Sequence, residues 1–362
     1  MSTPRRRIVL YTETTSRGGA EVSLRNLAAA LDPAFDVTVM GVDAPVCEWV
    51  AAVRPDTDVV LVRPVAHKFA VTPFVALRRT LAALRPAIFH TNLRELADAR
   101  HALTAATTIR GILPVAVEQL PLPPRAITTR WLKRAGSKRL AAHVAVGEQV
   151  ARAVEEECGL ATGSVRTIYN GVPDLGPAGR RDGTGRKAVG TLARLDHVKG
   201  LDVLLEAVAQ LPDTDLLIAG DGPDRAALEA QAERLKLGDR FRLLPWSDNP
   251  RDLFDQMDVF VLPSRIEGFP LSIVEAMLAG RAVVATDVGS VREAVVEGVT
   301  GHVVPRDDVE ALRASLARLL ADPSQRERMG EAGRTRALER FTANEMARQF
   351  ERLYTELLDP RP

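Results

Sequence analysis

Two glutamates, Glu267 and Glu275, stand eight positions apart in the run EGFPLSIVEA, just beyond the apolar stretch Val259 to Leu262. The apolar stretch reads as a buried strand, Pro263 to Pro270 as the loop that leaves it, and Leu271 to Ala279 as a helix closed by Gly280. The first amides of such a helix have no internal acceptor. Those of Leu271, Ser272 and Ile273, with the positive end of the helix dipole, form an anion site suited to a diphosphate. Glu275, one turn deeper, is placed to accept from the two hydroxyls of a ribose, and Glu267 to hold hydroxyls of a sugar. Because Val274, Ala276, Met277 and Leu278 surround it in sequence, Glu275 has little of the solvent face expected of an ordinary helix acid.

A second group lies after the run Ala188 to Leu192, where Gly190-Thr191-Leu192-Ala193-Arg194 continues into Leu195-Asp196-His197-Val198-Lys199-Gly200. Arg194 and Lys199 leave a strand end together, where two cations clamp a diphosphate leaving group in place of a metal. The competing reading makes them surface charges paired with Asp196 and Asp202. Two triplets, Asp56-Thr57-Asp58 and Asp213-Thr214-Asp215, have the Asp-x-Asp form of a metal site, but each precedes an apolar run where ligands should follow one. They read as turn and strand-entry residues, and no metal is expected.

These groups need a frame of strands and helices. Short apolar runs recur along the chain: Ile8 to Tyr11, Val37 to Val42, Val59 to Val62, Ile88 to His90, Val115 to Val117, Ala141 to Val146, Ala188 to Leu192, Leu216 to Ala219, Phe241 to Leu244, Val259 to Leu262 and Ala282 to Ala285. Runs this short, apolar on both faces and separated by helix-length segments, predict parallel strands covered by helices, hence α/β architecture with two doubly wound sheets. In such sheets ligands bind beyond the carboxyl ends of the strands. The Pro, Gly and charge of Pro173 to Lys187 break the pattern. The expected organisation is a first domain over 1–175, a linker over 176–187, a second domain over 188–343, and a helix over 344–362 that returns to the first domain with Met346, Phe350, Leu353, Tyr354 and Leu357 on one face.

The 362 residues and 46% apolar content suit two cores. Two cysteines, Cys47 and Cys158, suggest a reducing compartment. The apolar run near the N-terminus is too short for a signal peptide, and no stretch is long enough to span a membrane, so a cytoplasmic location is expected. The formal charge is +1, yet residues 1–175 hold 22 Lys/Arg against 16 Asp/Glu, leaving 26 against 31 for the rest. Part of the basic excess is Arg125, Arg130, Lys133, Arg134, Lys138 and Arg139, interleaved with Ile127, Trp131 and Leu132. Residues 125–139 read as a basic amphipathic helix, either a solvated face or a peripheral contact with an anionic membrane surface, the inner face of the plasma membrane. With 4% aromatic residues there are few stacking platforms, and nucleic acid is not an expected partner. The bias of 42 arginines to six lysines is consistent with a GC-rich bacterial genome.

The order Gly190, Arg194, Lys199-Gly200, Gly220-Asp221-Gly222-Pro223, Asp258 to Ser264, Glu267, Glu275, Gly280 and Thr286-Asp287-Val288-Gly289 resembles glycosyltransferase family 4. The resemblance covers almost the whole chain and is most specific over 188–304. It implies the GT-B fold, two Rossmann-like domains facing each other across a cleft, with retention of anomeric configuration and no obligatory metal. Carried over, Arg194 and Lys199 bind the donor diphosphate, Glu275 the ribose, and Glu267 with the backbone of Gly268 and Phe269 the donor sugar, beside Pro270, Leu271 and Ser272. Asn170-Gly171-Val172 matches the motif ending the first domain, and Gly18-Gly19-Ala20-Glu21 the glycine-rich loop near donor phosphate and acceptor. Trp246 to Pro250 is the expected neighbourhood of the base.

Two departures fall on the acceptor side. Many relatives carry a histidine near Val117-Glu118-Gln119, and the usual Ser-Glu after the strand at 141–146 is here Gly147-Glu148. Glu118 or Gln119 is expected to take over the positional role. His90, at a strand end before Thr91-Asn92, is the expected cleft histidine and a catalytic candidate, and His143 a core residue. The expected enzyme is a retaining, metal-independent hexosyltransferase without cofactor, taking a UDP or GDP sugar as substrate and a glycan, lipid-linked or small-molecule hydroxyl as acceptor. Alternatives of the same fold are a nucleotide-sugar isomerase or epimerase and a non-catalytic nucleotide-sugar-binding protein. A dinucleotide dehydrogenase is disfavoured, since Gly18-Gly19 lacks the Gly-x-Gly-x-x-Gly spacing.

Overall fold

The computed structural model describes residues 6–65, 70–94, 98–120, 127–179, 185–246 and 250–359, with the side chains of 127–129 excepted. Arg125, the side chain of Ile127, residues 180–184 of the expected linker and 247–249 of the expected base-binding stretch lie outside the described residues. The chain forms two compact units, Met1–Gly171 with Ala343–Pro362, and Val172–Thr342.

The first unit carries β1 (Arg6–Thr12), β2 (Phe35–Gly41), β3 (Asp58–Leu61), β4 (Ile88–Leu93), β5 (Leu113–Glu118), β6 (Ala142–Ala145) and β7 (Arg166–Thr167). They form one sheet in the order β3-β2-β1-β4-β5-β6-β7, parallel throughout. Val9, Tyr11, Met40, Phe89, Leu93 and Ala116 from the strands pack with Leu77, Leu81, Ala102 and Ala105 from the helices Val71–Leu84 and Arg100–Thr107. Full burial of side chains of this size is worth about 1.5–3 kcal/mol each, which is why the apolar periodicity dominates the fold. The last helix, Ala343–Leu358, belongs to this unit and buries Met346, Phe350, Leu353 and Tyr354.

The second unit carries β8 (Lys187–Leu192), β9 (Thr214–Ala219), β10 (Phe241–Leu244), β11 (Val259–Leu262), β12 (Ala282–Thr286) and β13 (Gly301–Val304), in the order β10-β9-β8-β11-β12-β13, again all parallel. Val189, Leu216, Ile218, Val259, Val261 and Val284 meet Leu204, Val208, Leu312 and Leu316 of the covering helices. Neither edge strand β7 nor β13 is among the apolar runs of the sequence. The first has two residues and the second carries His302, so neither has a continuous apolar signal. Among the described residues no helix is long and apolar enough to cross a membrane.

Candidate functional site

In the second unit the chain runs from β8 through β9 to β10 toward one edge, and from β11 through β12 to β13 toward the other. The loops after β8 and β11 therefore part at neighbouring strand ends, which opens the crevice where doubly wound sheets bind ligands. Both loops are pinned together. The Arg265 amide donates to Val198 O at 2.7 Å. Gly200 has φ +60°, and a Cβ there would fall 2.1 Å from Pro263 O, so both the turn and the close approach demand glycine.

The pinning brings two of the expected residues into contact. Lys199 Nζ donates to Glu267 Oε1 at 2.7 Å, and Ser264 Oγ donates to the same oxygen at 2.7 Å. Glu267 Oε2 has no protein partner among the described residues. The loop 286–290 supports this carboxylate from behind: Thr286 Oγ1 donates to Ser264 O at 2.5 Å and the Ser290 amide to Gly268 O at 2.8 Å. Gly289 has φ +50°, and a Cβ would lie 2.0 Å from Glu267 O.

The helix after this loop is Leu271–Leu278, preceded by Pro270 in an extended conformation with no side-chain cap and no acid in its first turn. Its leading amides are thus uncapped by side chains, as an anion site requires. Glu275 is partly buried without a protein partner among the described residues, and burial pushes its carboxyl up to about 7. Arg194 forms an ion pair with Asp196, and its side chain is 69% exposed. Lys199 does not pair with Asp202, which instead takes Arg265. The Phe269 ring is buried against Phe341 at 5.0 Å. Trp246 is half exposed beyond β10, two strands from β8.

In the first unit several of the expected site residues lie in the interior. His90 is fully buried rather than cleft-facing. Its Nδ1 lies 2.7 Å from Tyr354 Oη and its Nε2 3.1 Å from Asn92 Oδ1, and Phe350 stands edge-on to the ring. Asn92 Nδ2 donates to Ala20 O at 2.9 Å, which turns its oxygen to His90 and leaves Nδ1 to accept from Tyr354. Burial pushes the imidazole down to about 4, so it is a neutral core residue.

Glu118, expected on the acceptor side, is also fully buried. One oxygen takes Lys133 Nζ at 2.6 Å and His143 Nε2 at 2.7 Å. Burial alone would raise its pKa, but the Lys133 ammonium and the His143 contact outweigh burial and lower it. Glu21 accepts from the Gly18 amide at 3.1 Å and from Thr12 Oγ1 at 3.3 Å, so it caps the helix Gly19–Ala30 rather than facing an acceptor. Asn170, expected at the donor, is buried with its oxygen accepting from Ser23 Oγ at 2.6 Å and its amide donating to Gln119 Oε1 at 2.8 Å. Gln119 is buried too, with Nε2 unpartnered. Gly18 is the extended N-cap and Gly19 the first residue of the helix Gly19–Ala30, and a Cβ on Gly19 would meet nothing within 4 Å. Among the described residues no group of three or more His, Cys, Asp or Glu side chains converges as for a metal. Asp58 is the first residue of β3 and Asp215 the second of β9, away from the carboxyl ends.

Two family models match successive parts of the chain: Glycosyltransferase Family 4 over residues 17–174 and Glycosyl transferases group 1 over residues 180–336. The chain belongs to glycosyltransferase family 4. Relatives in the family include the lipopolysaccharide core biosynthesis mannosyltransferase LpsB of Rhizobium meliloti, 32% identical over 184 residues, covering 48% of this chain and 52% of that protein. Another is the GDP-mannose-dependent alpha-(1-6)-phosphatidylinositol monomannoside mannosyltransferase of Mycolicibacterium smegmatis, 36% identical over 170 residues, covering 43% and 44%. The chain thus spans about half the length of the curated relatives it matches. Among solved structures, a glycosyltransferase from Rickettsia africae superposes with a TM-score of 0.87 at 18% identity, covering 99% of this chain and 100% of that one. Anabaena HepE, solved in complex with UDP-glucose, superposes with 0.82 at 20% identity, covering 97% and 99%. At such identities the likeness establishes the fold, GT-B with two Rossmann-like units.

Three supports in this family member were not expected from the sequence: Ser264 on Glu267, Arg265 between the two loops, and Ser290 behind Gly268, whereas the Arg194–Asp196 pair is one the sequence offered. Gly289 carried a signal, since a glycine after Thr286-Asp287-Val288 at a strand end marks a left-handed turn. Ser264 and Arg265 carried none, being ordinary loop residues by type.

Proposed function

We propose that the protein is a retaining, metal-independent glycosyltransferase that moves a hexose-type sugar from a UDP or GDP sugar to a hydroxyl of a glycan, lipid-linked or small-molecule acceptor. The observation that carries this reading is the cluster at the β8/β11 crevice: Lys199 held on Glu267, amides at Leu271 to Ile273 without a side-chain cap, and a Glu275 without a protein partner among the described residues. Names of relatives in sequence, mannosyltransferases among them, support the donor class.

In the proposed reaction the acceptor hydroxyl attacks the anomeric carbon on the face the nucleotide leaves. The carbon–oxygen bond to the β-phosphate breaks, a new one to the acceptor oxygen forms, and the acceptor's proton passes to the departing phosphate. Negative charge grows on that phosphate, and Arg194, Lys199 and the helix amides are the groups that stabilise it. Glu275 takes the ribose hydroxyls, and Glu267, tied down on Oε1, offers Oε2 to the sugar. Phosphate rather than a protein carboxylate is the base, so no side-chain nucleophile is required.

The reading includes a cytoplasmic protein in peripheral contact with an anionic membrane through residues 125–139. In the helix Ile127–Ser137, Trp131 and Leu132 are 65% and 63% exposed, with the Arg134 guanidinium 5.8 Å over the Trp131 ring. Lys133 is turned inward onto Glu118, but an exposed apolar tip with Arg134 beside it suits an anionic bilayer interface. Binding to phosphatidylglycerol vesicles that weakens in high salt is expected; equal binding to phosphatidylcholine, or none, rejects it.

The catalytic reading is tested by incubating the protein with UDP and GDP sugars and hydroxyl acceptors in excess chelator, then reading the anomeric configuration by NMR. An α product from an α donor is expected. Inversion, strict need for a metal, or conversion of donor without acceptor contradicts the reading.

A further inference from the structure

We propose that Arg265 is a positioning residue for sugar transfer, fixing the turn that carries Lys199 against the loop that carries Glu267. The inference rests on the donor-site reading above and adds to it a group that touches no substrate. Its side chain is 16% exposed. Nη1 and Nη2 donate to the two oxygens of Asp202 at 2.9 and 2.8 Å, Nη1 also donates to His197 O at 2.6 Å, and Nε donates to Asp307 Oδ1 at 2.7 Å. Its own amide donates to Val198 O.

Two three-residue segments, 197–199 and 265–267, are therefore cross-linked at both ends. Arg265 holds the carbonyls of His197 and Val198 at one end, and Lys199 grips Glu267 at the other. Asp202 stands in the first turn of the helix Leu201–Ala209 and Asp307 in the loop after β13, so the same guanidinium ties the pair of segments to two further elements. Asp202 engages the arginine through both carboxylate oxygens and Asp307 through one.

The side-chain chemistry is specific. A planar fork with five donors reaches one carboxylate bidentately, a second carboxylate and a carbonyl at once, whereas a lysine supplies a point charge on a flexible stem. Loss of the fork frees the Lys199 turn to drift relative to Glu267. Displacement of about 1 Å at a reacting group is enough to cost roughly 10²-fold in rate.

The experiment compares wild type, Arg265→Gln, Arg265→Lys and Asp202→Asn for kcat, KM for the donor sugar and melting temperature, assayed well below every melting point. For Arg265→Gln, kcat is expected to fall about 10- to 100-fold with donor KM changing much less. Arg265→Lys and Asp202→Asn should fall in between, and they carry the test if Arg265→Gln does not fold. Unchanged kcat in folded variants, or a loss that only tracks the unfolded fraction, overturns the inference while leaving the donor reading intact. A wild-type protein that transfers no sugar from any UDP or GDP donor overturns both.

Discussion

Both units have the same parallel, doubly wound architecture, yet the polar residues at their strand ends are disposed in opposite ways. In the first, His90, Glu21 and Asn170 are buried and bonded to neighbouring side chains or backbone, and Glu118 binds Lys133 and His143 through one oxygen while its other oxygen has no partner among the described residues. In the second, Glu275 and one oxygen of Glu267 lack protein partners among the described residues, and Arg194 is largely exposed. A buried polar group with satisfied partners fixes a fold, while a partly buried one left open carries a cost that only a ligand offsets. The difference teaches that position at a strand end nominates a residue, and the state of its partners decides between scaffold and site.

Substitutions in the two units should separate rate from stability. The largest effect is expected from Lys199→Ala, which should cut donor turnover by about 10²- to 10³-fold with a melting temperature close to wild type. Turnover within a factor of a few of wild type would break the contrast. Glu118→Ala should do the reverse, destabilising by about 3–5 kcal/mol because Lys133 and His143 lose their shared counter-charge in the interior. Denaturant melts read that loss, and the folded fraction should keep near-normal turnover at low temperature.

Two smaller effects concern pH. The unfolded chain protonates His90 near 6.5 and the folded chain only near 4. The stability of the neutral ring is complete above 6.5 and is lost as pH falls through 4, an effect of about 3 kcal/mol. His90→Gln should flatten that part of a stability–pH curve, and an unchanged slope would place the titration elsewhere. Glu275 has the opposite sign: its carboxyl, ordinarily near 4.5, is raised to about 7, so the folded state loses stability as pH rises from 4.5 to 7. Glu275→Gln should therefore melt higher than wild type at pH 8, match it at pH 5, and bind donor more weakly at both. Screening leaves this gain at about 1–2 kcal/mol.

The donor-side groups were legible because they are local. Arg194, Lys199, Glu267 and the helix at Leu271 each follow an apolar run within a few residues, and strand-end logic needs nothing more. The scaffold residues were not legible by type, since a histidine after Ile88-Phe89 looks the same whether it faces a ligand or a tyrosine. Its partner Tyr354 lies 264 positions away. The pairing of Glu118 was hidden for the same reason, its cation Lys133 coming from the helix Ile127–Ser137. Glu21 is the exception, because three residues after Gly18 is capping-box spacing, a signal that was present and given less weight than proximity to the glycine loop. The short edge strands β7 and β13 escaped because an edge strand needs no apolar run on both faces.

The most direct measurement of the central claim is calorimetric titration of UDP and GDP sugars into wild type, Lys199→Ala and Glu118→Gln, each at a temperature where it is folded. The account predicts that wild type and Glu118→Gln bind one nucleotide-sugar class alike, and that Lys199→Ala binds it at least about tenfold more weakly, as loss of a charge-assisted contact implies. Equal affinity in wild type and Lys199→Ala, or no nucleotide sugar bound by wild type, would contradict it.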